Sequence, residues 1–206
     1  CACPAGKYTG SVGQTSCTAC EEGKYQGSTG TTVCTAAQQG YFASISDTAE
    51  TSAATGETQV AAGSYACDSN EGTPDGVGVT TLASGQCACP AGKYTGSVGQ
   101  TSCTGVLKGD YACLSGDNDG AGETSAATAS CACPAGKYTA SDGQTSCTAC
   151  EEGKYQGNTA STECTDVLAG DYACLTGDTD GTGVTTLATG TCACPAGYYA
   201  NGQGNT

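Results

Sequence analysis

Cysteine is the residue type in this sequence with the most chemistry to offer. The chain has 18 cysteines in 206 residues, several of them in C-x-C and C-x-x-C pairs, and it has no histidine. Thiolates at these spacings can bind zinc, exchange electrons or form disulfides. Without histidine a common structural zinc site cannot be completed, and a thioredoxin-like redox site needs a βαβ context that the sequence lacks. Disulfides are therefore the favoured chemistry.

Two loops rich in aspartate and glycine are the second candidates for chemistry. The sequences Asp117-Asn-Asp119-Gly and Asp178-Thr-Asp180-Gly place two carboxylates two residues apart, as calcium-binding loops do. Neither loop has the third acidic position or the terminal Glu of an EF-hand. The alternative interpretation is that Asp-Gly simply forms a turn, and we favour it over calcium binding. Calcium at Asp117, Asp119, Asp178 and Asp180 is the one cofactor that the sequence suggests.

Catalysis by other side chains has little support in the composition. The chain has no histidine, and its six basic residues are all lysines. Carboxylate pairs occur, but not within an apolar concave pocket that could tune them for acid–base work. The G-x-G sequences neither follow a buried strand nor open a helix, so they predict no nucleotide site. We expect no enzyme activity.

The charge balance excludes two classes of partner. The net charge is −14, whereas nucleic acids and anionic membrane surfaces both require a basic face. No apolar run approaches the roughly 20 residues that a membrane-spanning helix needs. The sequence therefore predicts neither a nucleic-acid partner nor a membrane span.

The material for a conventional hydrophobic core is missing. Leu, Ile, Val and Phe together number 17, which is about 8% of the chain. Chains with less than roughly 20% of these residues rarely bury enough apolar surface to offset the conformational entropy lost on folding. Disulfides must order the chain instead, and they persist in oxidising compartments. We therefore expect an extracellular or cell-surface protein.

The cysteines lie in an internal repeat. Residues 1–18 recur unchanged at 87–104 and with two substitutions at 131–148. A shorter signature, Gly-x-aromatic, underlies every copy, and we call its glycine the frame glycine. It occurs ten times and ends at Tyr8, Tyr25, Phe42, Tyr65, Tyr94, Tyr111, Tyr138, Tyr155, Tyr172 and Tyr199.

These signatures define short and long modules. Short modules have the pattern C-x2-G-x-Y-x8-C and lie at 1–18, 19–35, 88–104, 132–148 and 149–165. Long modules have the pattern G-[DS]-Y-A-C, then a Gly/Asp-rich loop and a Thr-rich stretch ending in Cys, and lie at 59–87, 105–131 and 166–192. Residues 36–58 form a long module that lacks the cysteine pair, and 193–206 begin the next short module.

The module without cysteines indicates how the others pair. Aligned on the shared sequence ETSAAT, module 36–58 has Ser44 in place of the first cysteine and Thr58 in place of the second. A joint loss is what a bonded pair would show, because one orphan thiol is a liability in a secreted protein. We therefore predict pairing within each module. The predicted disulfides are Cys3–Cys17, Cys20–Cys34, Cys67–Cys87, Cys89–Cys103, Cys113–Cys131, Cys133–Cys147, Cys150–Cys164 and Cys174–Cys192. Cys1 and Cys194 are left over, and we expect their partners to lie in copies beyond each end.

The pattern predicts the fold class as well. Val, Thr and Tyr alternating with Gly and Ser favour short strands and turns over helix. The frame glycine should adopt positive φ at a tight turn, and the aromatic ring should cover a disulfide. We predict a small disulfide-rich β fold, an elongated solenoid-like array of cysteine-rich modules with little hydrophobic core, in contact mainly with their neighbours.

The sequence CPAGKYTGSVGQTSCTACEEGKY resembles the ephrin-receptor-like cysteine-rich repeats, relatives of growth-factor-receptor and tumour-necrosis-factor-receptor modules. It is also similar to cysteine-periodic surface antigens of ciliates and to the mastigoneme-like repeat proteins of protist surfaces and flagellar hairs. The resemblance implies an elongated ladder in which the first cysteine bonds to the one after the aromatic. It covers the short modules, a little under half of the chain. The long modules depart from it, so no receptor role follows.

Two functions are compatible with these observations. The near-identity of distant copies favours a structural subunit of an extracellular filament, because a site for one ligand would need only one specialised module. The alternative is the ectodomain of a surface antigen or adhesin that binds a partner. Because the sequence begins and ends within modules, we expect further copies to continue the array head to tail. The many hydroxyls predict O-linked glycans, with Thr80, Thr124 and Thr185 as candidates.

Overall fold

The structure is a computed structural model that describes residues 2–44, 54–68, 73–178, 183–184 and 186–196. Over these ranges the chain forms short β-strands and turns, with no helix. Ten strands are two residues long, namely β1 Lys7–Tyr8, β2 Thr18–Ala19, β3 Lys24–Tyr25, β4 Thr35–Ala36, β9 Lys93–Tyr94, β10 Thr104–Gly105, β13 Lys137–Tyr138, β14 Thr148–Ala149, β15 Lys154–Tyr155 and β16 Thr165–Asp166. Eight are four residues long, namely β5 Tyr41–Ser44, β6 Gly56–Gln59, β7 Ser64–Cys67, β8 Gly85–Ala88, β11 Asp110–Cys113, β12 Ala129–Ala132, β17 Asp171–Cys174 and β18 Gly190–Ala193.

Each odd-numbered strand pairs with the strand that follows it, as a separate two-stranded sheet. In a short module the aromatic residue lies opposite a threonine just after the second cysteine, as Tyr8 does opposite Thr18. In a long module the aromatic lies opposite the second cysteine itself, as Tyr65 does opposite Cys87. Isolated two-stranded hairpins are marginal in water, so other contacts must hold these strands together.

By its internal contacts the chain divides into two compact units, residues 1–104 and 105–206. In the first unit, one buried cluster consists of Tyr65 with four disulfide cysteines, and another consists of Val60, Ala66 and Ala83 with Phe42 against them. The second unit repeats both clusters with other copies of the same residues. Its clusters are Tyr111 with Cys113 and Cys133, and Val167 with Ala173 and Ala188.

The frame glycine makes the turn that begins each hairpin. Every frame glycine in the described ranges has positive φ, between 73° and 101°. In the first module the Lys7 amide donates to the carbonyl of Pro4 at 3.1 Å, which closes the turn around Gly6. The predicted use of this glycine is thereby confirmed.

Long modules begin with a buried apolar residue at the position where short modules have their first cysteine. Counted from the frame glycine, Val60, Val106 and Val167 stand where Cys89 and Cys133 do, and all are buried. The Val60 amide donates to the Gly40 carbonyl at 3.0 Å, just as the Cys89 amide donates to Gly63 at 2.8 Å. The sequence pattern did not predict this equivalence, because it located the modules by their cysteines.

The predicted fold class is confirmed in its main features. The chain is an array of small disulfide-rich β modules without helix in its described part, and its core consists of sulfur, tyrosine, valine and alanine. Even the largest buried side chains lie in clusters of only a few residues. Covalent crosslinks therefore take the place of a continuous hydrophobic core.

Candidate functional site

The disulfides are the chemistry that the fold positions. Each joins two cysteines of one module, with Cα atoms 5.6 to 6.0 Å apart, which is the ordinary spacing for a disulfide. The bonded pairs are the eight that the repeat predicts, Cys3–Cys17, Cys20–Cys34, Cys67–Cys87, Cys89–Cys103, Cys113–Cys131, Cys133–Cys147, Cys150–Cys164 and Cys174–Cys192. Such a density of disulfides indicates an oxidising compartment, such as the extracellular space.

Cys1 and Cys194 are the two cysteines that the predicted pairing leaves without a partner. Cys194 is half-buried and is the free cysteine in the described part of the chain. Cys1 lies outside the described residues. The expected bonds of Cys1 and Cys194 to other copies stay predictions.

The tyrosine of a long module fills the space between two disulfides. Tyr65 is fully buried and clusters with the disulfide of its own module and with Cys89–Cys103 of the next module. Its phenol oxygen accepts the Thr73 amide at 2.6 Å. Tyr111 has the same surroundings, and burial raises the pKa of its phenol although the Gly120 amide donates to it. The prediction that the aromatic ring covers a disulfide holds at Tyr65 and Tyr111.

A hydrogen bond stands where module 36–58 lacks its disulfide. Ser44 lies opposite Gly56 and Phe42 opposite Thr58, the same register that places Cys67 opposite Gly85 in the next module. The hydroxyls of Ser44 and Thr58 are 2.7 Å apart and hydrogen-bond to each other. The residues aligned with the missing cysteines therefore meet in space as the cysteines do.

Within each unit, a backbone hydrogen bond from the following module to the frame-glycine carbonyl recurs from junction to junction. A second bond, from the frame-glycine amide, is added at the junctions after Gly6, Gly63, Gly109 and Gly136. In the first unit the Gly6 amide donates to the Gln26 carbonyl at 2.7 Å, and the Cys20 amide donates to the Gly6 carbonyl at 2.9 Å. In the second unit Gly136 makes both bonds again, to Gln156 at 2.7 Å and from Cys150 at 2.8 Å. The junction from a long module to a short one has an equivalent bond, since the Gly63 amide donates to the Thr95 carbonyl at 2.9 Å. A module end is thus a standard surface for the next module.

Close approaches also reach the second neighbour, in addition to the backbone hydrogen bonds between nearest neighbours. A Cβ built on Gly23 would lie 1.8 Å from the carbonyl oxygen of Leu82, two modules along the chain. The other frame glycines in such contacts meet carbonyl oxygens at 2.2 to 2.6 Å from the built Cβ, in the pairs Gly40 with Gly99, Gly109 with Ala160, and Gly136 with Leu187. The frame glycine therefore allows a close approach of backbones as well as a turn.

The acidic turns at Asp75 and Asp119 are closed by lysine. Asp119 accepts the Ala121 amide on its carboxylate at 2.7 Å, and its main-chain oxygen accepts the Lys137 ammonium. The loop of module 59–87 repeats this arrangement, with the Asp75 main-chain oxygen accepting the Lys93 ammonium. Hydrogen bonds from Thr73 and Val77 lower the pKa of the Asp75 carboxyl. A lysine of the following short module thus supplies the cation at each of these loops, a partnership that the sequence reasoning missed.

These contacts favour the turn interpretation over calcium at Asp117 and Asp119. Asp117 is half-buried, and its amide donates to Leu114 in a turn. No group of three or more acidic or cysteine side chains that could hold a metal occurs in the ranges that the structure describes. Asp178 lies in an equivalent turn closed on Leu175, while Asp180 is outside those ranges.

The candidate glycosylation residues are accessible where they are described. Thr80 and Thr124 are exposed, and Thr185 lies outside the described residues. By contrast, Thr139 is buried, and its hydroxyl accepts the Gly109 amide at 2.7 Å and donates to the Asp110 carbonyl at 3.1 Å. Thr95 is buried in the same way in the first unit. The hydroxyls of Thr95 and Thr139 therefore hold module junctions, whereas Thr80 and Thr124 lie at the surface.

Sequence reasoning also missed an exposed set of leucines. All six leucines of the chain are exposed, although leucine is among the residues most often buried. Leu107 and Leu168 are two-thirds exposed at equivalent turns of two long modules. Their signal in the sequence is the recurrence of the motif V-L-x-G-D-Y-A-C-L.

Comparison with protein-family models and with curated proteins gives no match for this chain. Within the described residues, no helix is long and apolar enough to cross a membrane.

Proposed function

We propose that this chain is a structural subunit of an extracellular filament or surface fibril built from stacked disulfide-closed modules. The observation that carries the proposal is the identity of the junctions: Gly6 in the first unit and Gly136 in the second make the same pair of hydrogen bonds to the next module. A surface that recurs at successive modules can accept a further copy as readily as an internal neighbour. Head-to-tail contacts of this kind generate open filaments unless the rotation closes.

The crosslinks suit a role under tension. Each disulfide shortens the path along which force travels, so residues within the loop carry none of it. The disulfides close loops with sequence separations of 14 in the short modules and 18 or 20 in the long ones. No catalytic role is proposed, because neither the composition nor the repeat favours one.

The filament is tested by electron microscopy of native material kept unreduced. We expect linear particles with a regular axial repeat. The control is the same material after reduction and alkylation, which should lose that order. A compact monomer at micromolar concentration in the unreduced sample would contradict the proposal.

We also propose O-linked glycans on the exposed threonines. A fibre with few charged residues gains solvation from sugars, and Thr80 and Thr124 are accessible to a transferase. Mass spectrometry of the native protein should find sugar on peptides that contain these residues and none on Thr95 or Thr139, which are buried. Peptides containing Thr80 and Thr124 that carry no sugar would contradict the proposal.

The alternative function, an adhesin or surface antigen, is favoured by the exposed leucines. Leu107 and Leu168 place apolar side chains at equivalent exposed positions of two long modules, where a partner could contact them. Replacing both by serine should leave the fold unchanged. If the variant no longer binds cells or protein but native filaments still form, the leucines serve adhesion and not assembly.

A further inference from the structure

In module 36–58 the strands β5 and β6 pair as in a long module, but no disulfide closes them. Its two strands keep the register of the cysteine-containing long modules, and the Ser44–Thr58 hydrogen bond at 2.7 Å occupies the place of the disulfide. A hydrogen bond between hydroxyls breaks and re-forms without any redox reaction. This module can therefore open and close where its homologues are locked.

The strands of this module are also less buried. All four residues of β5 are half-buried, whereas β7, β11 and β17 each have three buried residues of four. Exposed polar contacts supplement the packing, since the Gln38 amide and side chain both donate to the Glu57 carboxylate at 2.9 and 3.0 Å. Water competes for such contacts, which lowers their resistance to opening.

The positions of the disulfides also set this module apart. Cys34 ends one disulfide and Cys67 begins the next, so the backbone between them is spanned by no crosslink. The next widest intervals between consecutive disulfides, Cys103 to Cys113 and Cys164 to Cys174, are less than a third as long. Tension applied along the chain bypasses every crosslinked loop, so the longest stretch of backbone that carries force unprotected is the one around module 36–58.

We propose that module 36–58 is the extensible joint of a chain otherwise locked by disulfides. Under tension it opens before any crosslinked module and closes again when the load is removed. Once β5 and β6 separate, the backbone that joins Ser44 to Thr58 can extend, a gain of about 40 Å at roughly 3.4 Å per residue. The biological use of the joint rests on the proposed role in a filament, but the joint itself is a property of the single chain.

Single-molecule pulling on the full unreduced chain tests the joint. The informative variant is Ser44→Cys with Thr58→Cys, which restores the disulfide of the other long modules. The matched control, Ser44→Ala with Thr58→Val, removes the hydrogen bond without adding a crosslink. We expect the oxidised double-cysteine chain to extend about 40 Å less than wild type, and the control to reach the full length at lower force. Equal extension of the wild-type and oxidised double-cysteine chains would overturn the proposal.

Non-reducing peptide mapping before pulling shows whether the double-cysteine chain has nine correct disulfides. If it mispairs, hydrogen exchange of the wild-type chain decides the matter instead. The amide of Ala43 in β5 should then exchange at least tenfold faster than that of Ala66 at the same position of β7, although both are hydrogen-bonded. Equal protection of the two amides would overturn the joint.

The outcome is separable from that of the proposed filament. Pulling and exchange use the isolated chain, whereas the filament is judged by microscopy of native material. An extensible chain that forms no filament keeps the joint and removes the proposed function. A regular filament whose chains show no opening of module 36–58 keeps the proposed function and overturns the joint.

Discussion

At the scale of single residues, the frame glycine meets two requirements at once. Its positive φ makes the turn before each hairpin. At Gly23, Gly40, Gly109 and Gly136 its missing side chain also lets a carbonyl from the second-next module approach. Gly13 has only the first feature, since its φ is +90° but nothing lies within 4 Å of a built Cβ. Gly23 has both, with a φ of +73°. Comparing a substitution at Gly13 with one at Gly23 therefore separates the cost of a left-handed backbone from the cost of a steric clash.

Gly23→Ala should destabilise the chain much more than Gly13→Ala. Both variants carry the cost of a left-handed alanine, about 1 kcal/mol. Only at Gly23 does the new methyl group collide with the Leu82 carbonyl, which raises the expected loss to about 3 kcal/mol or more. Denaturant unfolding without reductant, followed by tyrosine fluorescence, measures both values. Similar losses for the two variants would mean that the second-neighbour contact is not tight.

Ala160 offers the converse test, because it has the left-handed backbone with a side chain. Its φ is 56°, and its amide donates to Cys133 at 2.9 Å as that of Gly30 donates to Cys3 at 2.8 Å in the earlier copy. Ala160→Gly should therefore stabilise the chain by about 1 kcal/mol, and Gly30→Ala should cost a similar amount. The midpoint of denaturant unfolding measures both changes. An Ala160→Gly variant less stable than wild type would contradict this reading of the backbone.

At the scale of elements, the hairpins of long modules close around a buried tyrosine. Tyr111 lies among the cysteines of two disulfides, and its hydroxyl accepts the Gly120 amide at 3.1 Å. A phenolate in this place would lose its hydration, so burial raises the pKa of Tyr111. The neutral form is thus the one that stabilises the long-module hairpin.

The shift at Tyr111 predicts a loss of stability at alkaline pH. Because the folded-state pKa is raised, its contribution is fully present below the ordinary tyrosine value of about 10 and is lost as pH rises through the raised pKa. Tyr111→Phe should lack that component of the alkaline decline and should cost about 1 kcal/mol at neutral pH, since the Gly120 amide loses its acceptor. Tyrosinate absorbance and unfolding midpoints across the alkaline range measure both effects. An identical alkaline decline in the variant would exclude Tyr111 as its source.

The covalent pattern of the elements could be predicted from sequence, whereas their packing could not. The pairing was accessible because Ser44 and Thr58 replace one bonded pair together. The position of Val60 as the counterpart of a short module's first cysteine could not be predicted, because valine carries no signal that it replaces a cysteine. The contact of Gly23 with Leu82 was hidden for another reason: it depends on the rise and rotation between modules, which no local pattern encodes.

At the scale of the whole molecule, the buried clusters are too small and too separate to hold the array without crosslinks. Each cluster contains a few residues, and the clusters around Tyr65 and Tyr111 consist mainly of disulfide cysteines. Closing a 14-residue loop contributes about 3 kcal/mol by restricting the unfolded chain. The sulfur atoms also fill the space that tyrosine packs against, so removing a disulfide opens the core as well as the loop.

Complete reduction and alkylation should therefore unfold the entire chain, not only its weakest modules. We expect loss of the near-ultraviolet dichroism of tyrosine, loss of amide protection throughout, and a radius of gyration near the unfolded value of about 50 Å for this length. A matched sample treated with alkylating agent alone separates the effect of reduction from that of modification at Cys194, the free thiol among the described residues. Protection that survived reduction at Val60, Val106 and Val167 would show that the apolar residues of the long modules suffice to hold the hairpins, and that the disulfides add strength to a fold that already exists without them.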